Sequence, residues 1–121
     1  MAPMTRPWSD IEKHYADLSG RSASIDQMLA LVKKTATSRF APHLYAWTSM
    51  HDLCIVQMPV TYPYDGPYLR ISPLRDGKLE FRFVDTPVEQ KQWCRTVDGQ
   101  RGFERLERFL YDVHWFYPEP S

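Results

Sequence analysis

At 121 residues, with 43% apolar and 25% charged side chains, the chain has the size and composition of one globular domain rather than of a disordered or fibrous protein. Fifteen basic residues balance fifteen acidic ones, which argues against nonspecific phosphate binding and leaves little charge repulsion to oppose a homodimer. No run approaches the ~18 consecutive apolar residues of a membrane span, and the start, Met1-Ala2-Pro3-Met4-Thr5-Arg6-Pro7, lacks the apolar core of a signal peptide, so a cytoplasmic protein is expected.

One domain is expected over residues 1–121, with residues 1–6 and the Pro-Glu-Pro-Ser end at 118–121 as loose tails. The first helix follows Ser9-Asp10-Ile11-Glu12, which reads as a capping box. Trp8, Ile11, Tyr15 and Leu18 recur at helical spacing, and Gly20 supplies a left-handed stop. A second helix opens on a weaker box, Ser24-Ile25-Asp26-Gln27, and buries Ile25, Met28, Leu29, Val32 and Ala36. Lys33 and Lys34 sit in its last turns, where cations suit the helix dipole.

After Pro42 the period falls to two. From His43 to Ser49, Leu44, Ala46 and Thr48 alternate with His43, Tyr45 and Trp47. Met50-His51-Asp52 reads as a hairpin turn, and Leu53 to Met58 as a central strand. Residues 59–67 form a loop rich in proline and tyrosine. Tyr68 to Leu74 and Leu79 to Val84 form a hairpin about Asp76-Gly77, the strongest such signal in the chain. Leu69, Ile71, Leu79, Phe81 and Phe83 should face inward, and Arg70, Ser72, Glu80 and Arg82 outward. Gln90 to Val97 is a candidate fifth strand. A last helix, Gln100 to Val113, carries Phe103, Leu106, Phe109, Leu110 and Val113 on one face and a Glu104–Arg108 pair on the other.

This order predicts an α+β fold: two N-terminal helices, an antiparallel four- to five-stranded meander sheet and a C-terminal helix packed on one sheet face. The strand links are too short for parallel crossovers.

Chemistry-bearing motifs are sparse. His14, His43, His51 and His114 show no metal-ligand spacing. His14 reads as a surface residue, His51-Asp52 as a turn pair, and His114 as a cation at a helix end. Cys54, between Leu53 and Ile55, reads as a small core residue, and Cys94 as a thiol facing away from Arg95. Both thiols are expected reduced. Gly99-Gln100-Arg101-Gly102 precedes a helix and offers an anion a helix N-terminus, without matching a nucleotide fingerprint. No catalytic residue, metal ligand or cofactor site is assigned.

The outward sheet face carries the functional reading. Tyr45, Trp47, Arg70 and Arg82, with Trp93 or Arg95 as further candidates, point away from the inferred core, and Tyr62 and Tyr64 stand in the adjoining loop. Trp, Tyr and Arg dominate binding hot spots, and tyrosine with proline gives contact area at low entropic cost. The expectation is a small intracellular protein-binding module, such as a bacterial immunity or inhibitor protein that neutralises a partner toxin or enzyme. Two alternatives stand beside it. One is single-stranded nucleic acid stacked on Tyr45 and Trp47. The other is a small enzyme assembled from His43, His51, Asp85 and Cys94.

Overall fold

The computed structural model describes residues 3–117. Alternating side chains create a sheet of five strands: β1 Tyr45–Ser49, β2 Asp52–Val56, β3 Tyr68–Pro73, β4 Lys78–Val84 and β5 Trp93–Asp98. They follow one another in space as in sequence, each pair antiparallel. Two turns set the register. Ser49 pairs with Asp52 across Met50-His51, with Met50 in the left-handed region at φ 56°. Asp76 and Gly77 take φ 60° and 73°, the twist that asparagine, aspartate and glycine tolerate best, and the Leu74 amide donates to the Lys78 carbonyl at 2.8 Å.

With that register, Ala46, Leu53, Ile55, Leu69, Ile71, Leu79 and Phe81 share one face and are fully buried. Three helices cover them: α1 Trp8–Asp17, α2 Ala23–Ala36 and α3 Gly102–Asp112. Ile11 and Tyr15, Met28, Leu31 and Val32, and Leu106, Phe109 and Leu110 join the strand residues in one cluster. The fold is α+β, with the helices on one side of a meander sheet.

Several local expectations are corrected. The helix α1 begins one residue before Ser9, and Pro7 occupies the cap position with no side-chain bond; its carbonyl takes the Asp10 and Ile11 amides instead. In α2 the cap is Ser22, whose Oγ accepts from the Ile25 amide at 3.1 Å. Ser24 is buried and donates its hydroxyl to the Leu74 carbonyl, tying α2 to the end of β3. Leu31 and Thr35 join the buried face of α2 in place of Leu29 and Ala36, and the Thr35 hydroxyl is satisfied by the Leu31 carbonyl at 2.8 Å. Residues 3–6 are not loose: the Met4 amide bonds the Val60 carbonyl and the Arg6 amide the Ala46 carbonyl, at 2.9 and 2.8 Å. The segment thus lines the outer edge of β1. Residues 1–2 and 118–121 lie outside the described residues.

A short 3-10 turn, Gly99–Arg101, leads into α3. Its glycines answer to packing. A Cβ on Gly99 would stand 2.4 Å from the Gly77 carbonyl oxygen, and one on Gly102 3.1 Å from the Leu79 Cδ1. Their absence of side chains lets the turn and α3 close onto the hairpin. Beyond α3 the amides of Trp115 and Phe116 both return to the Leu110 carbonyl, which seats Trp115 on Phe109 and Phe116 on Phe40, with ring centroids 5.6 and 4.8 Å apart.

Candidate binding face of the sheet

The sheet face opposite the helices is organised in bands that run across the strands. Its central row is Trp47, Cys54, Arg70, Arg82 and Cys94, each directly paired with the next. On one side lies an acidic row, with Asp52 opposite Ser49 and Glu80 between Ser72 and Thr96. On the other lies an apolar row, with Tyr45 opposite Val56 and Tyr68 opposite Val84. Neighbouring rows are two residues apart along each strand, about 6.6–6.8 Å.

Arg70 and Arg82 face each other across β3 and β4, and like charges so placed repel. Each is held by a carboxylate from the acidic row. Arg70 Nε donates to Asp52 Oδ2 at 2.6 Å, with the two side chains 32% and 22% exposed. Arg82 Nε donates to Glu80 Oε1 at 3.3 Å and its Nη1 to Gln92 Oε1 at 3.4 Å. Gln92 is itself fixed by donating to the Thr86 carbonyl at 2.8 Å. Burial works against the charge on Arg70, but the bonds to Asp52 and Tyr68 and the nearby Asp52 charge outweigh it and raise the guanidinium pKa above its usual value.

Both cysteines belong to the central row. Burial pushes the Cys54 thiol up to about 12, a rise that Arg70 opposes and Asp52 reinforces. Burial also raises the Cys94 thiol, with Glu80 adding to the effect and Arg82 and Arg95 opposing it. Neither is primed as a nucleophile. Both are free, and three strand spacings, roughly 14 Å, separate them, too far for an internal disulfide.

The Tyr-rich loop folds over the aromatic end of this face. Trp47 meets Tyr64 edge-on at 6.1 Å and Tyr68 at 5.4 Å. The Tyr64 ring lies across Gly66, where a Cβ would come within 2.5 Å of its hydroxyl, and that hydroxyl donates to the Pro67 carbonyl at 2.8 Å. Tyr64 is half-buried by these contacts, and burial, then Asp65, raises its pKa. Tyr62 stands out at 72% exposure. Tyr45, at the far edge, borders a groove of about 530 Å³ with His43, Gln57 and Phe116.

Trp47, Tyr64, Arg70 and Arg82 are therefore brought together, with Tyr62 and Tyr45 at the margins. Trp93 and Arg95 are not part of the face. Trp93 pairs with Phe83 and Arg95 with Phe81, which puts both on the helix side. Trp93 packs on Phe109 at 5.5 Å, and the Arg95 guanidinium lies 5.4 Å above the Trp93 ring. A 3-10 turn at Glu89–Lys91 shortens β5 and leaves its parity to the Phe83–Trp93 pairing. Asp52, Glu80 and Gln92 are members of the face that were not singled out as site residues. Their signal was parity: Asp52 and Glu80 share the outward phase of Arg70 and Arg82.

The residues considered for an enzyme do not converge. His43 and His51 lie beyond opposite ends of β1. His43 packs on Phe116 with centroids 5.2 Å apart, Asp85 follows the end of β4, and Cys94 faces Arg82. His14 is half-buried rather than a plain surface residue, with its Nε2 3.1 Å from the Met50 carbonyl oxygen. His114 takes φ 61° just after α3 and stacks on Tyr117. Among the described residues no group of three or more His, Cys, Asp or Glu is placed to hold a metal, and no helix is long and apolar enough to cross a membrane.

A second groove, of about 560 Å³, runs between Val97 and α3. Two of its arginines are turned on one carboxylate: Asp112 takes Arg105 at 3.3 Å and Arg108 at 3.6 Å. Arg108 thus pairs forward with Asp112 rather than back with Glu104.

Comparison with protein-family models, curated proteins and solved structures found no match to this chain.

Proposed function

We propose that the chain is a protein-binding module that seats the outer face of its sheet, with Tyr62 and Tyr64 at the rim, on a partner protein. The observation that supports this reading best is the row Trp47–Cys54–Arg70–Arg82–Cys94, which lies opposite the helices. Large aromatic and arginine side chains held by neighbours lose little entropy on binding and supply most interface energy. Each arginine is already paired with a carboxylate, and the chain is neutral overall, so the face suits a mixed protein surface better than a row of phosphates. An inhibitor or immunity protein that covers a partner enzyme or toxin is the form of this reading that a small domain fits.

The test is affinity capture from the native cell with tagged wild type and with Trp47→Ala and Arg82→Glu. The reading expects one stoichiometric protein partner, lost from both face variants and kept by Lys33→Glu on α2. Equal capture by all four, or none by wild type, would refute it. Capture of a second copy of this chain alone would make the module a homodimer.

A further inference from the structure

We infer that the partner meets this face with a carboxylate that bridges Arg70 and Arg82, an inference that rests on the protein-binding reading above. The arrangement of charges carries it. The two guanidiniums are direct cross-strand neighbours at the centre of the face. Their own carboxylates approach from the acidic row: Asp52 takes Nε of Arg70 and Glu80 takes Nε of Arg82. An arginine has five N–H donors in a planar fork, more than these partners use. A carboxylate arriving over the central row would accept from the spare donors of both forks.

The flanking rows define what surrounds that carboxylate. The half-buried Tyr68 and Val84 on one side call for an apolar or aromatic neighbour. Asp52 and Glu80 on the other repel further negative charge and favour a cation. A polyanion that crosses the rows, with charge repeated at every phosphate, meets the acidic row about 6.6–6.8 Å from the arginines. A protein surface that carries Asp or Glu beside a large apolar side chain need not. The occupant is thus an acidic-aromatic epitope of a partner protein.

The probe is the capped dipeptide N-acetyl-Glu-Phe-amide, titrated into the whole protein and followed by NMR at the Arg70 and Arg82 Nε–Hε and Trp47 indole signals. The neutral N-acetyl-Gln-Phe-amide and a short oligothymidylate are run in parallel. Saturable shifts are expected with the Glu peptide, with about tenfold weaker binding of the Gln peptide. Arg82→Lys keeps the charge but loses the fork, and should weaken the Glu peptide severalfold with an unchanged melting temperature. Equal response to the two peptides, no shift up to the solubility limit, or tighter binding of the oligothymidylate overturns the inference. If it falls while partner capture still depends on Trp47, only the carboxylate chemistry is lost. If capture is independent of the face, the protein-binding reading falls as well.

Discussion

Leu69, Ile71, Leu79 and Phe81 are wholly buried, while their chain neighbours Arg70, Ser72, Glu80 and Arg82 keep contact with water. The same hairpin therefore supplies the floor of the core on one side and a charged, hydrogen-bonded surface on the other. The two sides differ in what stabilises them. The inner one depends on close packing, where a lost ring leaves a void. The outer one depends on bonds between half-buried charges, which water can partly replace. Substitutions at adjacent positions should therefore separate stability from recognition.

The largest effect belongs to the inner face. Phe81→Ala or Phe109→Ala should cost ~3–5 kcal/mol in urea unfolding. A loss below about 1 kcal/mol would mean the ring is not in the core.

Next comes a pH effect from the central row that holds the arginines. The Cys54 thiol is raised from 9.0 to about 12 in the folded chain. An acid that holds its proton more tightly when folded gives its full contribution below the unfolded pKa, and loses it as pH climbs from about 9 toward 12. Stability should thus fall by about 1 kcal/mol per pH unit just above pH 9. Tyr15, raised by burial and then by Asp52 and Cys54, should add to the decline above pH 10. Unfolding midpoints at pH 8 and pH 10 should drop less for Cys54→Ala than for wild type; identical slopes would contradict this assignment.

Breaking the tighter ion pair is the third step. Asp52→Asn leaves the half-buried Arg70 without its carboxylate and should cost about 1–2 kcal/mol by thermal unfolding. Arg82→Ala removes a longer contact to Glu80 and should cost less than about 1 kcal/mol. The smallest effects lie on the wet face of α3, where Asp112→Ala should cost ~0.3–0.5 kcal/mol and Glu104→Ala almost nothing. The reverse order would restore the Glu104–Arg108 pairing.

What could be read in advance follows the same division. The meander and the inward set were legible because side-chain period and turn chemistry agree around Asp76-Gly77, and Met50-His51 links strands of matching phase. Helix ends were less legible. Ser9 and Ser24 carry capping chemistry, but the chain enters α1 from Pro7 and α2 from Ser22, and Ser24 is drawn to the Leu74 carbonyl. The phase of β5 could not be read locally, because it is decided by Trp93 finding Phe83 and Phe109. On the candidate face, Trp47, Arg70 and Arg82 were visible from alternation. The pairing that organises them was not, since Asp52 also resembles an ordinary turn residue.

The central claim is that one face of the sheet lies under the helices while the arginine centre of the other, beside the Tyr-rich loop, meets water. Solvent paramagnetic relaxation with a neutral gadolinium chelate tests it directly. The Arg70 and Arg82 Nε–Hε signals should broaden strongly while the Leu69 methyls and Phe81 ring, one residue away, stay sharp. Equal protection of arginines and core would show the outer face to be covered and would contradict the account.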